Sequence, residues 1–235
     1  MFNPHAVLQV IDIDSQHKCL VLDDALIDPE RWVQQAILQQ ENFSSLSDSN
    51  FPGIELKISN EVCTALMNFI RIPVKQYLNT RRILGGKGTL SIVTKRADQL
   101  KPYQWICHSD SVNIATGQNV ISTALYLFKN PDLGGTNFFK PRKSKFATDL
   151  FLQAANMMSA EDFERKYAIK PAYLTESNDL FELLATVPAK WNRLIVYDGM
   201  QLHNENIQHP ELMTDDPENG RLCMNGLITG RLGIC

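Results

Sequence analysis

The chain has 235 residues, 44% of them apolar and 21% charged, which suits a globular domain long enough to bury one substantial core. A net charge of −3 and a pI near 6.0 leave no electrostatic footprint for nucleic acid or an anionic membrane, and neither is expected as a partner. No apolar run approaches the roughly 20 residues of a membrane span, and no basic stretch opens into a hydrophobic segment, so the expected location is cytoplasmic.

Taken in chain order, Lys18 to Leu22 reads as a strand. Asp28-Pro29-Glu30 then opens a helix expected to reach about Gln40, because Asp caps, Pro suits the first helical position and Glu meets the positive end of the helix dipole. Phe51-Pro52-Gly53 marks a turn. Asn60 is expected to cap a second helix with Val62, Leu66 and Ile70 on one face, kinked or divided at Pro73. Gly85-Gly86-Lys87-Gly88 lacks the spacing and ending of a phosphate-binding loop and reads as a hairpin or flexible loop.

From Thr89 onward short apolar runs dominate. Candidate strands fall at Leu90 to Lys95, Tyr103 to Cys107, Ile121 to Phe128 and Asn137 to Phe139. Ala147, Leu150, Phe151 and Ala154 have helical spacing, and Ser159 to Asp162 resembles a capping box before another helix. Strands resume at Phe181 to Val187, Arg193 to Tyr197 and Leu222 to Thr229, whereas Gln208 to Gly220 reads as an inserted surface loop. Its acidic Asp215, Asp216 and Glu218 are taken as solvated. Such an order favours a sandwich or barrel.

The chemistry concentrates in His108-Ser109-Asp110. On a strand, positions i and i+2 point to one side, so His108 and Asp110 share a face. Two imidazoles and a carboxylate form the donor set of a facial-triad Fe(II) site, and His203, beyond the Arg193 to Tyr197 run and the Asp198-Gly199 turn, is the candidate second imidazole. The triplet alone is weak evidence, since this composition yields about a third of one His-x-Asp by chance. His5, His17 and His209 offer no ligand spacing.

Cys107 alternates away from the His108 face and reads as a buried thiol. The five cysteines, Cys19, Cys63, Cys107, Cys223 and Cys235, are odd in number and widely spaced, as reduced thiols would be. Trp105, Trp191, Tyr103 and Tyr197 are core candidates, with Tyr103 or Trp105 also placed to line a pocket.

Context strengthens the triplet. After it come the strand-type run Ser122 to Phe128, then Asn130 to Phe139 with its Gly134-Gly135 turn and Thr136, the Arg193-Leu194 strand and the distal His203. This succession resembles the 2-oxoglutarate- and Fe(II)-dependent dioxygenases, particularly their prolyl-4-hydroxylase-like branch. The resemblance covers about residues 105 to 230, with a weaker echo at Leu20 to Leu26.

It implies a mainly β fold with flanking helices, built on a double-stranded β-helix, or jelly-roll, core. A single domain is expected over 1–235, with supporting helices at about 28–80, the core at about 89–235 and a helical insert at about 144–180 that is a candidate lid. It further implies that His108, Asp110 and His203 hold Fe(II) and that 2-oxoglutarate is the cosubstrate. O₂ would be the oxidant, and a small molecule or peptide the substrate.

Arg221 is the expected partner of the cosubstrate's distal carboxylate, because a guanidinium fork binds carboxylate bidentately. The charges of iron, Asp110, the dianionic cosubstrate and Arg221 then cancel. Arg221 stands further from His203 than the family's usual interval, and Arg193 and Arg231 are its rivals. Arg221, Cys223 and Asn225 share one strand face, which favours Arg221. Tyr126 is a second candidate, through its hydroxyl. Two alternatives stay open: a non-catalytic jelly-roll protein binding a metal or ligand, and a cupin-like metal oxygenase to which Arg221 is dispensable.

Overall fold

The computed structural model describes residues 1–45, 50–110 and 114–233. Among these, ten strands form two antiparallel sheets that face each other as a jelly roll, with helices outside. Cys235 lies outside the described residues; the other four cysteines are free and buried. Among the described residues no helix is long and apolar enough to cross a membrane.

Strands β1 (Val7–Asp12) and β2 (Lys18–Asp23) form a hairpin whose turn is held by Asp14, which accepts from the Gln16 and His17 amides. Helix α1 (Glu30–Leu38) follows. Pro29 takes the N-cap position, and Asp28, expected there, stands one residue earlier and accepts from the Arg31 amide at 3.2 Å. After β3 (Gly53–Lys57) comes α2 (Asn60–Tyr77), which differs from expectation in two respects. Ser59, not Asn60, is the cap, accepting from Val62 N, a contact of about 1 kcal/mol. Pro73 sits inside one continuous helix. Burial of Val62, Cys63, Leu66, Ile70 and Val74 along a single face holds both halves against the sheet and outweighs the missing amide.

Strand β4 (Thr80–Val93) begins well before the expected strand and contains Gly85 to Gly88, so the expected loop is absent. These residues pair with β10 (Arg221–Leu232), Gly88 opposite Gly226. A Cβ at Gly88 would lie 2.8 Å from Asn225 O and 2.7 Å from Ile58 Cδ1, so close approach, not turn formation, requires glycine. Tyr103 to Cys107 is likewise no strand. Pro102–Trp105 is a 3₁₀ turn, started by Pro102 and fixed by the buried Trp105 indole, which donates to Leu100 O at 3.0 Å.

Strands β5 (Gln118–Tyr126), β6 (Thr136–Pro141), β7 (Phe181–Val187) and β8 (Leu194–Asp198) follow the expected positions closely, whereas β9 (Leu202–Glu205) had no sequence signal. The larger sheet runs β1-β2-β8-β5-β10-β4-β3 and the smaller β7-β6-β9. Between them lies a core that includes Tyr126, Phe138, Phe139, Tyr197 and Cys223. The outer face of the larger sheet buries Leu20, Ile92, Ile121 and Ile228 against α1 and α2.

The insert holds α3 (Lys145–Met157) and α4 (Ala160–Tyr167), the latter capped by Ser159 as expected. On α3 the inward face is Thr148, Phe151 and Ala155; Leu150 is 50% exposed, contrary to the helical pattern. Phe151 and Phe163 dock the pair onto Trp105 and Phe181.

Candidate metal centre

His108 lies outside the named strands, but its backbone exchanges hydrogen bonds with His203 on β9, at 3.0 and 2.8 Å. Asp110 N donates to Gly199 O at 2.7 Å, in the turn joining β8 to β9. Two tertiary pairings thus bring three distant side chains together. One donor atom from each of His108, Asp110 and His203 lies within 4.8 Å of the others.

Neighbours fix these groups. Nδ1–H of His203 donates to Gln201 O at 2.8 Å, which leaves Nε2 facing Asp110 Oδ2 at 3.4 Å. The Ser122 hydroxyl donates to Asp110 Oδ2 at 2.5 Å. Tyr197 packs edge-on against His203. Burial, then the neighbouring His203, lowers the pKa of His108; burial opposes ionisation of Asp110, yet the two histidines and Ser122 hold its carboxyl well below the usual range. For His203 burial acts downward, but Asp110 prevails and raises the pKa. A carboxylate facing two imidazoles in a buried recess is chemically suited to a divalent cation.

The triad opens into a cavity of about 610 Å³ between the sheets, which Arg221 also lines. Arg221 is 4% exposed. Its Nε donates to Leu133 O at 3.0 Å, Nη2 to Gly135 O at 2.9 Å, and Nη1 meets Cys223 Sγ at 3.8 Å. Among the described residues it makes no direct ion pair, but the Glu205 carboxylate in the same cavity interacts with it through space and favours its charged form. The rivals are placed elsewhere. Arg193 is committed to Asp23 through Nε at 2.6 Å and Nη2 at 3.0 Å, and Arg231 is exposed near the end of β10.

Tyr126 is fully buried behind the cavity wall, its hydroxyl 2.8 Å from Thr136 Oγ1. Thr136 lines the cavity, and Tyr126 stands behind it in hydrogen-bond contact. Tyr103 lines it too, whereas Trp105 is core. Cys107 is buried and its thiol pKa is pushed up by burial. His17 pairs with Asp14 and His209 with Glu211.

Sequence reasoning passed over Ser122, Gln201, Thr136 and Glu205. Glu205 was accessible to the alternation rule, standing two residues beyond His203 on β9, opposite Thr136, and it lines the cavity. The insert also reaches this end: Leu174 O accepts from Asn204 at 2.8 Å and from Asn137 at 3.4 Å, and Tyr173 OH donates to Lys95 O at 2.8 Å.

A family model described as a family of unknown function, DUF6445, matches residues 4–228. The chain belongs to this family. No curated protein matches this DUF6445 chain.

Among solved structures it is similar to EvdO2 from Micromonospora carbonacea var. aurantiaca, with 11% identity, a TM-score of 0.51 and 98% of this chain and 95% of that chain covered. It is also similar to SnoK, a non-heme alpha ketoglutarate dependent carbocyclase from nogalamycin biosynthesis, with 10% identity, a TM-score of 0.50 and coverages of 93% and 84%. A Pseudomonas putida prolyl-4-hydroxylase aligns with 11% identity, a TM-score of 0.48 and coverages of 93% and 95%. At these identities the likeness to EvdO2 and SnoK establishes the jelly-roll fold of this DUF6445 protein.

Proposed function

We propose that this DUF6445 protein is an Fe(II)- and 2-oxoglutarate-dependent oxygenase that hydroxylates its substrate, as the prolyl-4-hydroxylase-like pattern of its motifs implies. The observation that carries this reading is the buried Arg221 guanidinium, which makes no direct ion pair among the described residues, in the same cavity as a His-Asp-His cluster. The cavity end fits the cosubstrate's charge, and the cluster fits ferrous iron in donor type and number.

In this reading His108, Asp110 and His203 hold the metal. When bound, iron and 2-oxoglutarate supply the oxidising chemistry, in which O₂ and the cosubstrate yield succinate and CO₂ and one oxygen atom enters a substrate C–H bond. The protein's work is positional. Gln201 O keeps Nε2 of His203 unprotonated toward the metal, Ser122 orients Asp110, and Arg221 with Thr136 anchors the distal carboxylate. Tyr197, backed by the buried Phe138, limits water around His203.

Glu205 favours a second reading. Its carboxylate shares the inward face with Thr136 and adds a negative charge near the position assigned to the cosubstrate, which suits a metal oxygenase that does not use 2-oxoglutarate.

Anaerobic addition of Fe(II) and 2-oxoglutarate to the metal-free protein separates the two. A weak visible charge-transfer band that needs both additions and vanishes in Asp110→Ala supports the first reading. Iron binding with no such band supports the second.

A further inference from the structure

The outer half of β4 is an open sheet edge. β3 pairs only with Thr89 to Val93, and Ile58 N reaches Gly88 O, so residues 80–87 pair with β10 on one side and with no strand on the other among the described residues. This edge connects two depressions. Gly86, Lys87 and Gly88 line the cavity that holds the histidines, while Arg81 to Gly85 line a second groove against α2.

The charge along this edge has one sign. Arg81, Arg82 and Lys87 are exposed on the strand, Arg71 and Lys75 line the groove from α2, and Arg231 lies directly across from Arg82 on β10. Lys and Arg ion pairs among the described residues all involve other cations. Facing like charges cost up to about 1 kcal/mol per cross-strand pair, a cost relieved when an anion lies between them. In a chain of net charge −3, this concentration points to an acidic partner. An open edge selects for an extended backbone, because unpaired N–H and C=O groups are satisfied by an added strand.

We propose that an extended, acidic polypeptide segment docks along β4 residues 80–87 as an added strand and passes over Gly86 to Gly88 into the cavity. Its main chain pairs with β4, and its carboxylates face Arg82, Lys87 and the groove cations. As a statement about substrate class this rests on the oxygenase reading; as a docking site it does not. Basic residues also guard sheet edges against aggregation, and that simpler role predicts no acidic-peptide binding.

The test uses metal-free protein, so that a failed iron and 2-oxoglutarate titration leaves its outcome intact. The probe is a fluorescent peptide of about ten residues alternating Glu and Val, followed by anisotropy, with hydrogen exchange of β4 measured alongside. The expected result is saturable binding that protects amides within 80–87, weakens at least about tenfold in Arg81→Glu/Arg82→Glu/Lys87→Glu, and is unchanged in Lys143→Glu. Backbone N-methylation of the peptide is expected to weaken binding comparably.

If the triple variant fails to fold, Arg71→Glu/Lys75→Glu on the exposed face of α2 provides the same comparison. Absent binding, binding insensitive to both sets of reversals, or binding indifferent to N-methylation overturns the proposal. Tighter binding of single-stranded oligothymidylate without protection of 80–87 also overturns it, in favour of a nucleic-acid surface.

Discussion

His108 and His203 donate their backbone amides to each other's carbonyls, at 3.0 and 2.8 Å, and their imidazole centroids lie 4.6 Å apart. Main chain, not side-chain packing alone, therefore sets the spacing of the two imidazoles. Such a frame fixes where the two side chains begin, and it makes the surrounding side-chain hydrogen bonds the adjustable part of the site.

Ser122→Ala removes the hydroxyl that holds Asp110 Oδ2 and leaves the three proposed metal ligands in place. Metal affinity is expected to fall about 10- to 100-fold while the thermal midpoint changes little. Competition against a chromophoric chelator measures the affinity; an unchanged value would show that Asp110 needs no such support.

Arg221→Ala is expected to leave Fe(II) binding intact and to abolish the 2-oxoglutarate-dependent absorption band, since the proposed charge-assisted contact to the distal carboxylate is lost. Arg193→Ala, whose guanidinium is engaged with Asp23, is expected to retain the band. Titration of both variants with the cosubstrate compares them. A band retained in Arg221→Ala would move the anion site elsewhere.

The Asp23 carboxyl is lowered to about 2, chiefly by its hydrogen bond to Arg193, with Lys190 also contributing. A depressed folded-state pKa contributes stability above the unfolded value of about 3.9, and this is lost as pH falls toward about 2. Asp23→Asn is therefore expected to cost about 1 kcal/mol at neutral pH, with the difference from wild type closing between about pH 4 and pH 2. Urea melts across that range check the sign; a gap that widens on acidification would contradict it.

Phe163 is fully buried in α4 and packs against Trp105, Phe151 and Tyr167. Phe163→Ala is expected to destabilise the protein by about 3–5 kcal/mol through the cavity it leaves. Equilibrium denaturation gives the value, and a loss below about 1 kcal/mol would mean that the insert is dispensable to the core.

Strands and helices with a one-sided apolar pattern are legible in the sequence: β5, β7 and β8, the inward face of α2, and the cap at Ser159. Patterns that mislead have physical causes. The glycines of β4 carry a turn signature, yet they stand in a strand, and Gly86 and Gly88 face neighbours that approach too closely for a Cβ. Tyr103 to Cys107 alternates like a strand, but Pro102 and the Trp105 indole bond hold it in a tight turn. Polar β9 has little strand propensity and is a strand because β6 supplies its partner.

By itself the sequence determined the chemical inventory: two imidazoles, a carboxylate two residues from one of them, and an arginine on a late strand. Alternation and residue chemistry suffice for that, because they are local. Tertiary structure alone decided which groups meet. It separated Arg221 from Arg193 by giving only the latter a direct ion pair among the described residues, placed Thr136 rather than Tyr126 at the cavity wall, and turned Glu205 inward beside them. It also left residues 80–87 of β4 without a second neighbour. Those outcomes depend on strand order and register, which arise from pairings between segments far apart in the chain.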